Sequence, residues 1–317
     1  MDELIDTEFP NDTNDNNDNN DSNTSKPHKV KKIILIVLSA ITTILILVSI
    51  SFYFIFVFRG TQAASIEPAK AKNIDMSSYL CNIYTEQQIQ IKKEKELTPL
   101  TDEQYNKIKS VYTSTEEKTV FLTFDDGPSK NITPLILDVL KQEDVKATFF
   151  VLGTNVNYHP ELVQREYNEG HYVANHGYSH SYSDIYVSPE TILNDYLACN
   201  QAIKKALNNE NYESKIYRYP GGSTGGRYHD IKAEGKELLK ENHIAYLDWN
   251  ALTRDAEGTP TKESIIENLH STVGDKNVVV LLMHDSSSKI LTYETLPEVI
   301  SFFKNNGYTF KTIYDIL

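Results

Sequence analysis

The chain has 317 residues, 40% of them hydrophobic, and carries 31 Lys and Arg against 44 Asp and Glu, a formal net charge of −13. Such a length allows one large or two medium domains, but the charge is uneven: residues 1–25 hold eight acidic side chains and no Lys or Arg, which supplies −8 and leaves −5 for the remainder. That balance gives no sign of a nucleic-acid partner, and two cysteines do not make a disulfide framework.

In chain order, residues 1–25 are filled with Asp, Asn, Ser and Thr. They cannot bury enough apolar surface to offset ordering, so residues 1–32 are expected to be a disordered acidic tail with a basic flank. Ile33–Phe58 follows, 26 residues without a charge. This exceeds the roughly 20 residues a helix needs to cross a bilayer and the ~7–15 of a signal-peptide core. Lys26, Lys29, Lys31 and Lys32 precede the span and only Arg59 closely follows it. The positive-inside rule then puts the tail in the cytoplasm and residues 59–317 outside the cell, as a single-pass membrane protein.

Residues 59–117 read as a stalk, with a helix over about 101–112 leading into a domain at 118–317. Cys81 falls in the stalk. Cys199 shares a helical stripe with Ile192, Tyr196 and Ile203 and is expected to be a small buried hydrophobe; the spacing does not place the two sulfurs together.

From Lys118 onward, short apolar runs alternate with stretches of helical period. The runs are Thr119–Phe124, Ala147–Leu152, Tyr172–Ala174, Lys215–Tyr217, Ile244–Leu247, Val278–Met283 and Tyr308–Thr312. Helical stripes comprise Ile132, Leu135, Ile136, Val139 and Leu140, then Ile265, Ile266 and Leu269, then Leu296, Val299, Ile300 and Phe303; Pro160 and Pro189 stand where a first helical turn accepts proline. Seven such alternations predict a single α/β domain, an open or incomplete (β/α) barrel.

The uncommon polar residues fall just past the predicted strands. Asp125 and Asp126 follow the first, His176 and His180 the third, Arg218 the fourth, Asp248 and Trp249 the fifth, and His284 and Asp285 the sixth. In (β/α) barrels the active site lies at that end of the sheet. His176 and His180, four apart, would share a face if their segment were a helical turn. With one carboxylate they would make a two-His, one-carboxylate metal set, although a lone His-x-x-x-His is also common in ordinary surfaces. Asp125-Asp126-Gly127-Pro128 reads equally as a good turn and as two carboxylates brought to one site, one binding a cation and one acting as base.

Thr123-Phe124-Asp125-Asp126-Gly127-Pro128 together with His176-Gly177-Tyr178-Ser179-His180 resembles the polysaccharide deacetylase family, the NodB-like carbohydrate esterases of family 4. Arg218-Tyr219-Pro220-Gly221-Gly222, Asp248-Trp249-Asn250 and Leu281-Leu282-Met283-His284-Asp285 extend the resemblance, in order, across residues 118–317. The resemblance implies a hydrolase of N-acetyl groups on amino sugars, with Asp125 as general base and Asp126, His176 and His180 holding a divalent metal, zinc first, with cobalt, nickel or manganese as substitutes. His284 would be the general acid, Arg218 the partner of Asp125, and Asp248 the group that orients His284 and favours its protonated form. Trp249 and Leu282 would wall the acetyl pocket, and Tyr219 would touch substrate. Members acting on peptidoglycan often carry an aromatic residue three positions after the motif arginine, where this chain has Gly221; its N–H could still serve an oxyanion, but a side-chain wall of the sugar groove is missing.

The expected substrate is a polysaccharide of the cell wall, foremost peptidoglycan N-acetylglucosamine. An exopolysaccharide or chitin-like oligomer, an O-acetyl ester, and a non-catalytic carbohydrate-binding relative are the alternatives.

Overall fold

In a computed structural model of the chain, the residues described are 97–113 and 117–317, with isolated positions 86, 87, 90, 94 and 95. The acidic tail, the apolar run Ile33–Phe58, most of the stalk and Cys81 lie outside them. Among the described residues no helix is long and apolar enough to cross a membrane.

Eight strands form one sheet: β1 Thr119–Asp125, β2 Thr148–Val151, β3 Tyr172–Asn175, β4 Ile216–Tyr217, β5 Ala245–Tyr246, β6 Ala251–Leu252, β7 Val278–His284 and β8 Thr309–Phe310. Their order is β5-β4-β3-β2-β1-β7-β6, with β8 also pairing β1, and every pairing is parallel. The sheet curls into a partial barrel, as expected, left open because β5 and β6 at its two edges do not pair. β1 and β7 run in register over their full length, from Thr119 opposite Val278 to Asp125 opposite His284.

The helices are α1 Asp102–Lys109, α2 Thr133–Gln142, α3 Gly153–Tyr158, α4 Pro160–Asn168, α5 Tyr182–Ile185, α6 Pro189–Leu207, α7 His229–Glu241, α8 Lys262–Val273 and α9 Ile290–Asn305. Pro160 and Pro189 both occupy the first helical position, where the missing N–H costs nothing. Ser188 caps α6 by accepting from Thr191 N, with Thr191 Oγ1 answering Ser188 N.

Strand parity decides which side chains reach the site. Successive side chains of a strand point to opposite faces. Val120, Leu122 and Phe124, with Val279, Leu281 and Met283, pack outward in the cluster that contains Ile136, Leu140, Ile203, Leu296 and Phe303 from the surrounding helices. Phe121, Phe150, Tyr172, Ala174, Ile216, Ala245, Leu247 and Val280 fill the other face, which is the barrel interior. The same parity carries Asp125, His176, Arg218, Leu282 and His284 to the interior face. α1 closes the bottom of this interior with Tyr105 and Ile108, so the segment from Leu100 to Val111 packs into the domain rather than ending a stalk.

Cys199 is buried and not in a disulfide; its Sγ lies 3.4 Å from Val151 O. Phe303 is fully buried, with its ring 5.1 Å from those of Phe302 and Tyr308. Phe303→Ala should cost about 3–5 kcal/mol, the usual range for emptying a phenylalanine site. Urea unfolding followed by circular dichroism should show the lower midpoint with an unchanged slope; an unchanged midpoint contradicts this packing.

Candidate active site

The polar residues past the strands converge at the C-terminal end of the sheet. Asp125, the last residue of β1, is buried, and its Oδ1 accepts from Arg218 Nη1 at 2.8 Å. Asp126, by parity, would point outward. It is turned back by a left-handed backbone, φ +71°, a conformation that costs a non-glycine residue energy and is common at functional sites. Asn155 Nδ2 donates to Asp126 O at 2.9 Å and holds the turn. Gly127 follows where no side chain fits: a Cβ there would collide with the carboxylate of Asp285.

Asp126 Oδ1 then lies 3.5 Å from His176 Nε2 and 3.4 Å from His180 Nε2. It is buried and has no hydrogen-bond partner. One ligand atom from each of these three residues lies within 4.8 Å of the others, the one such group among the described residues. A buried carboxylate oxygen left without a donor is costly, and a divalent cation between two imidazoles and a carboxylate would satisfy it. The residues fit a metal.

His176 and His180 do not share a helical turn. The segment between them is a bend with left-handed Gly177 (φ +84°) and His180 (φ +55°). Asp195 of α6 fixes that bend, accepting from Tyr178 N at 2.8 Å and from Ser179 N and Oγ at 3.2 Å. A Cβ at Gly177 would strike the same carboxylate. An i, i+4 pair converges by helix only if the backbone between its members stays right-handed, and here left-handed residues break it while Asp195 binds the N–H groups of the bend.

His176 Nδ1 lies 2.8 Å from Arg218 O. A carbonyl can only accept, so the proton sits on Nδ1 and the Nε2 lone pair faces Asp126. Burial works against a charged His176, but Asp125 and then Asp126 outweigh it and raise its pKa. His180 moves the other way: burial and the neighbouring His176 lower it, and Asp126 offsets them only in part. Asp126 is held well below the ordinary carboxylate range because His176, then His284 and His180, outweigh the effect of burial.

His284 ends β7. Its Nδ1 lies 2.8 Å from Asp255 Oδ1, and its N–H donates to Asp255 Oδ2 at 2.8 Å. Thr292 Oγ1 donates to that oxygen as well. Burial opposes a positive charge, yet Asp255 prevails and His284 is pushed up to about 9.

This corrects two expected roles. Asp248 does not orient His284: its carboxylate accepts from Ser223 N at 3.0 Å and Ser223 Oγ at 2.6 Å, which ties down the glycine-rich turn after Arg218. Tyr219 does not face substrate; it is fully buried beside Tyr217, Ile192 and Leu239, because it follows Arg218 and parity sends it to the opposite face. Sequence reasoning missed Asp255 because it follows β6, a two-residue strand that was not foreseen. It also missed Asp195, which sits mid-helix without a motif of its own.

Gly221 is exposed with φ +73°, Trp249 is half-buried against Gly222, and Leu282 is buried on the interior face. A separate cavity of about 680 Å³, lined by Lys107, Val111, Thr119, Phe121, Val278 and Ile316 among others, opens at the opposite end of the strands and contains no histidine.

The family model for polysaccharide deacetylases matches residues 112–237. A peptidoglycan-N-acetylglucosamine deacetylase of Bacillus cereus is 32% identical over 211 residues, 65% of this chain and 73% of that protein. The chain belongs to the polysaccharide deacetylase family. Among solved structures, a CE4 esterase of Streptococcus mutans is similar at TM-score 0.59 and 34% identity, covering 68% of this chain and 92% of its own. The catalytic domain of a peptidoglycan N-acetylglucosamine deacetylase from Eubacterium rectale is similar at TM-score 0.57 and 34% identity, covering 63% of this chain and 90% of its own. As a polysaccharide deacetylase, the protein is a hydrolase acting on amide bonds.

The His284–Asp255 pair gives a pH prediction. The folded value of about 9 exceeds the ordinary 6.5, so the stability from this histidine is complete below about 6.5 and is lost as pH rises through about 9. Asp255→Asn removes the charge that holds the proton. The basic limb of the kcat/KM profile should then move toward neutral pH, and an NMR titration of the His284 ring should follow it. A basic limb that stays in place rules out Asp255 as the group that sets it.

Proposed function

We propose that this deacetylase removes acetyl groups from N-acetylated amino sugars of a cell-wall glycan, foremost peptidoglycan N-acetylglucosamine, in a metal-dependent reaction. The observation that carries the reading is the unpartnered, buried Asp126 Oδ1 between His176 and His180, with a carboxylate on β1 and a protonated imidazole on β7 held in register beside it. The names of the Bacillus and Eubacterium relatives support the choice of glycan. A complete acid, base and ligand set argues against a non-catalytic carbohydrate-binding role.

The roles divide by atom. Asp125 Oδ1 is occupied by Arg218, which leaves Oδ2, 3.7 Å from His176 Nε2, to accept a proton from the attacking water. Water adds to the amide carbon, and the Gly221 N–H is the proposed donor to the oxygen that gains charge. His284, protonated at neutral pH, gives its proton to the departing nitrogen as the C–N bond breaks, which yields acetate and a free amine. Leu282 and Trp249 bound the space for the acetyl methyl. A divalent cation, zinc in the first instance, would polarise the carbonyl and acidify the water; Asp126, His176 and His180 would hold it.

Two tests follow. In full-length protein incubated with N-acetylated wall glycan and zinc, Asp125→Asn should keep its metal yet release acetate about 10²-fold more slowly or worse, the usual scale for a general base. His180→Ala should lose both metal and turnover. Loss of metal from Asp125→Asn with retention in Asp126→Asn would exchange the two aspartate roles, and unaltered acetate release in both would reduce the motif to a structural turn.

The second concerns location. Ile33–Phe58 with its preceding lysines supports a single-pass anchor with the catalytic domain outside the cell, next to a wall polymer. Protease added to protoplasts should remove the catalytic domain and spare the acidic tail. Recovery of a protected domain and a digested tail would invert this topology.

A further inference from the structure

Most tyrosines of the domain are accounted for by packing. Tyr172, Tyr212, Tyr217 and Tyr219 are fully buried, and Tyr186, 2% exposed, donates its hydroxyl to Pro220 O at 2.6 Å. Tyr182 is different. It begins α5 two residues after His180 and is 40% exposed, and among the described residues its hydroxyl has no hydrogen bond.

Its place is well defined nonetheless. The ring lies 5.6 Å from the His180 ring and 5.6 Å from Tyr186, which is in turn 5.1 Å from Tyr228. Across the groove, the phenol covers Gly221: a Cβ on that residue would collide with Tyr182 Oη and sit 3.0 Å from Cζ. Gly221 is itself left-handed, which disfavours any side chain at 221. Tyr186 fastens α5 to the 220–222 turn through Pro220, and Lys232 Nζ fastens the same turn from the other side by donating to Gly222 O at 2.7 Å. One aromatic face is therefore placed beside the candidate metal ligands, partly open to solvent and with a hydroxyl that makes no hydrogen bond among the described residues. Such a surface, apolar with a polar tip, matches a pyranose, which offers a C–H face and ring hydroxyls.

We propose that Tyr182 is the residue that grips the acetylated sugar: its ring packs on the pyranose face beside His180, and its hydroxyl bonds a sugar hydroxyl. It thereby supplies, from the loop after His180, the wall that Gly221 cannot supply. The inference rests on the deacetylase reading and specifies how that site holds its substrate.

The test uses full-length, zinc-loaded protein and a tetrasaccharide of N-acetylglucosamine, with binding read by calorimetry and acetate release read separately. Tyr182→Ala should weaken binding and raise KM about tenfold or more, with kcat changed by no more than about threefold and zinc content unchanged. Tyr182→Phe should recover most of the binding, since it keeps the flat face. Tyr182→Leu keeps bulk without that face and should behave as Tyr182→Ala, which covers the case in which the alanine variant is poorly folded. Gly221→Ala should weaken binding in the parent by displacing the phenol, and do so less when Tyr182 is already Ala.

The two readings fail separately. Acetate release with binding indifferent to Tyr182 overturns the inference and leaves the deacetylase standing. Tyr182-dependent binding without acetate release from any oligosaccharide leaves the sugar contact standing and sinks the reaction. A tetrasaccharide that does not bind the parent protein at all overturns the inference.

Discussion

The site depends on one buried cation. Arg218 is fully buried, and its guanidinium donates to Asp125 Oδ1, Thr123 Oγ1, Leu247 O and Asp248 O at 2.7–3.0 Å. Its Cζ lies 3.8 Å from the centre of the Phe150 ring. Through its own carbonyl it fixes the tautomer of His176. One residue thus ties together the ends of β1, β2, β4 and β5 and, by side chain and carbonyl, orients two functional groups. A buried charge pair of this kind is weak evidence for net stability, yet removal of one partner typically costs about 3–5 kcal/mol because the other is left stranded. The rigid fork of arginine, with its donors in one plane, is what lets these acceptors meet; lysine could not reproduce it.

Around that cation, charge is arranged so that two neighbouring titratable groups have separate partners. Asp125 and His284 stand opposite each other on adjacent strands, where they could pair with one another. Each is instead saturated from behind, Asp125 by Arg218 and His284 by Asp255. In the proposed reaction the first would serve as base and the second, held protonated by its carboxylate partner, as acid, within one strand spacing. Asp285 shows the contrasting case: buried and bonded to Thr133 rather than to a cation, it is pushed up to about 7.

Much of this was legible in the sequence because it obeys short-range rules. β1 and β7 are seven-residue strands, each a mostly apolar run closed by a polar residue, and those residues, Asp125 and His284, are found by reading where each run stops. Parity then assigns the interior face without further information. What escaped was whatever is fixed by contacts distant in sequence. β6 is two residues long and exists because it pairs with β7, so its trailing Asp255 had no visible strand to follow. The bend from His176 to His180 has the spacing of a helical turn, but left-handed Gly177 and His180 break it and the Asp195 carboxylate, from α6, holds the bend. Asp248 stood in the expected place for a partner of His284, but Ser223 claims it.

The parallel topology has a consequence for how the protein is kept folded. Asp126, His176 and His180 come from loops after β1 and β3, which become neighbours only once β2 is laid between them. An ion held by all three would therefore bind the native chain far better than the unfolded one, and would act as a clasp on the sheet. A ligand with that preference, present at a hundred times its Kd, adds about 2.7 kcal/mol to stability. Under the proposed reaction, supply of such an ion would be a condition of persistence as well as of turnover: where it is scarce, the protein would fall silent and also fall apart sooner.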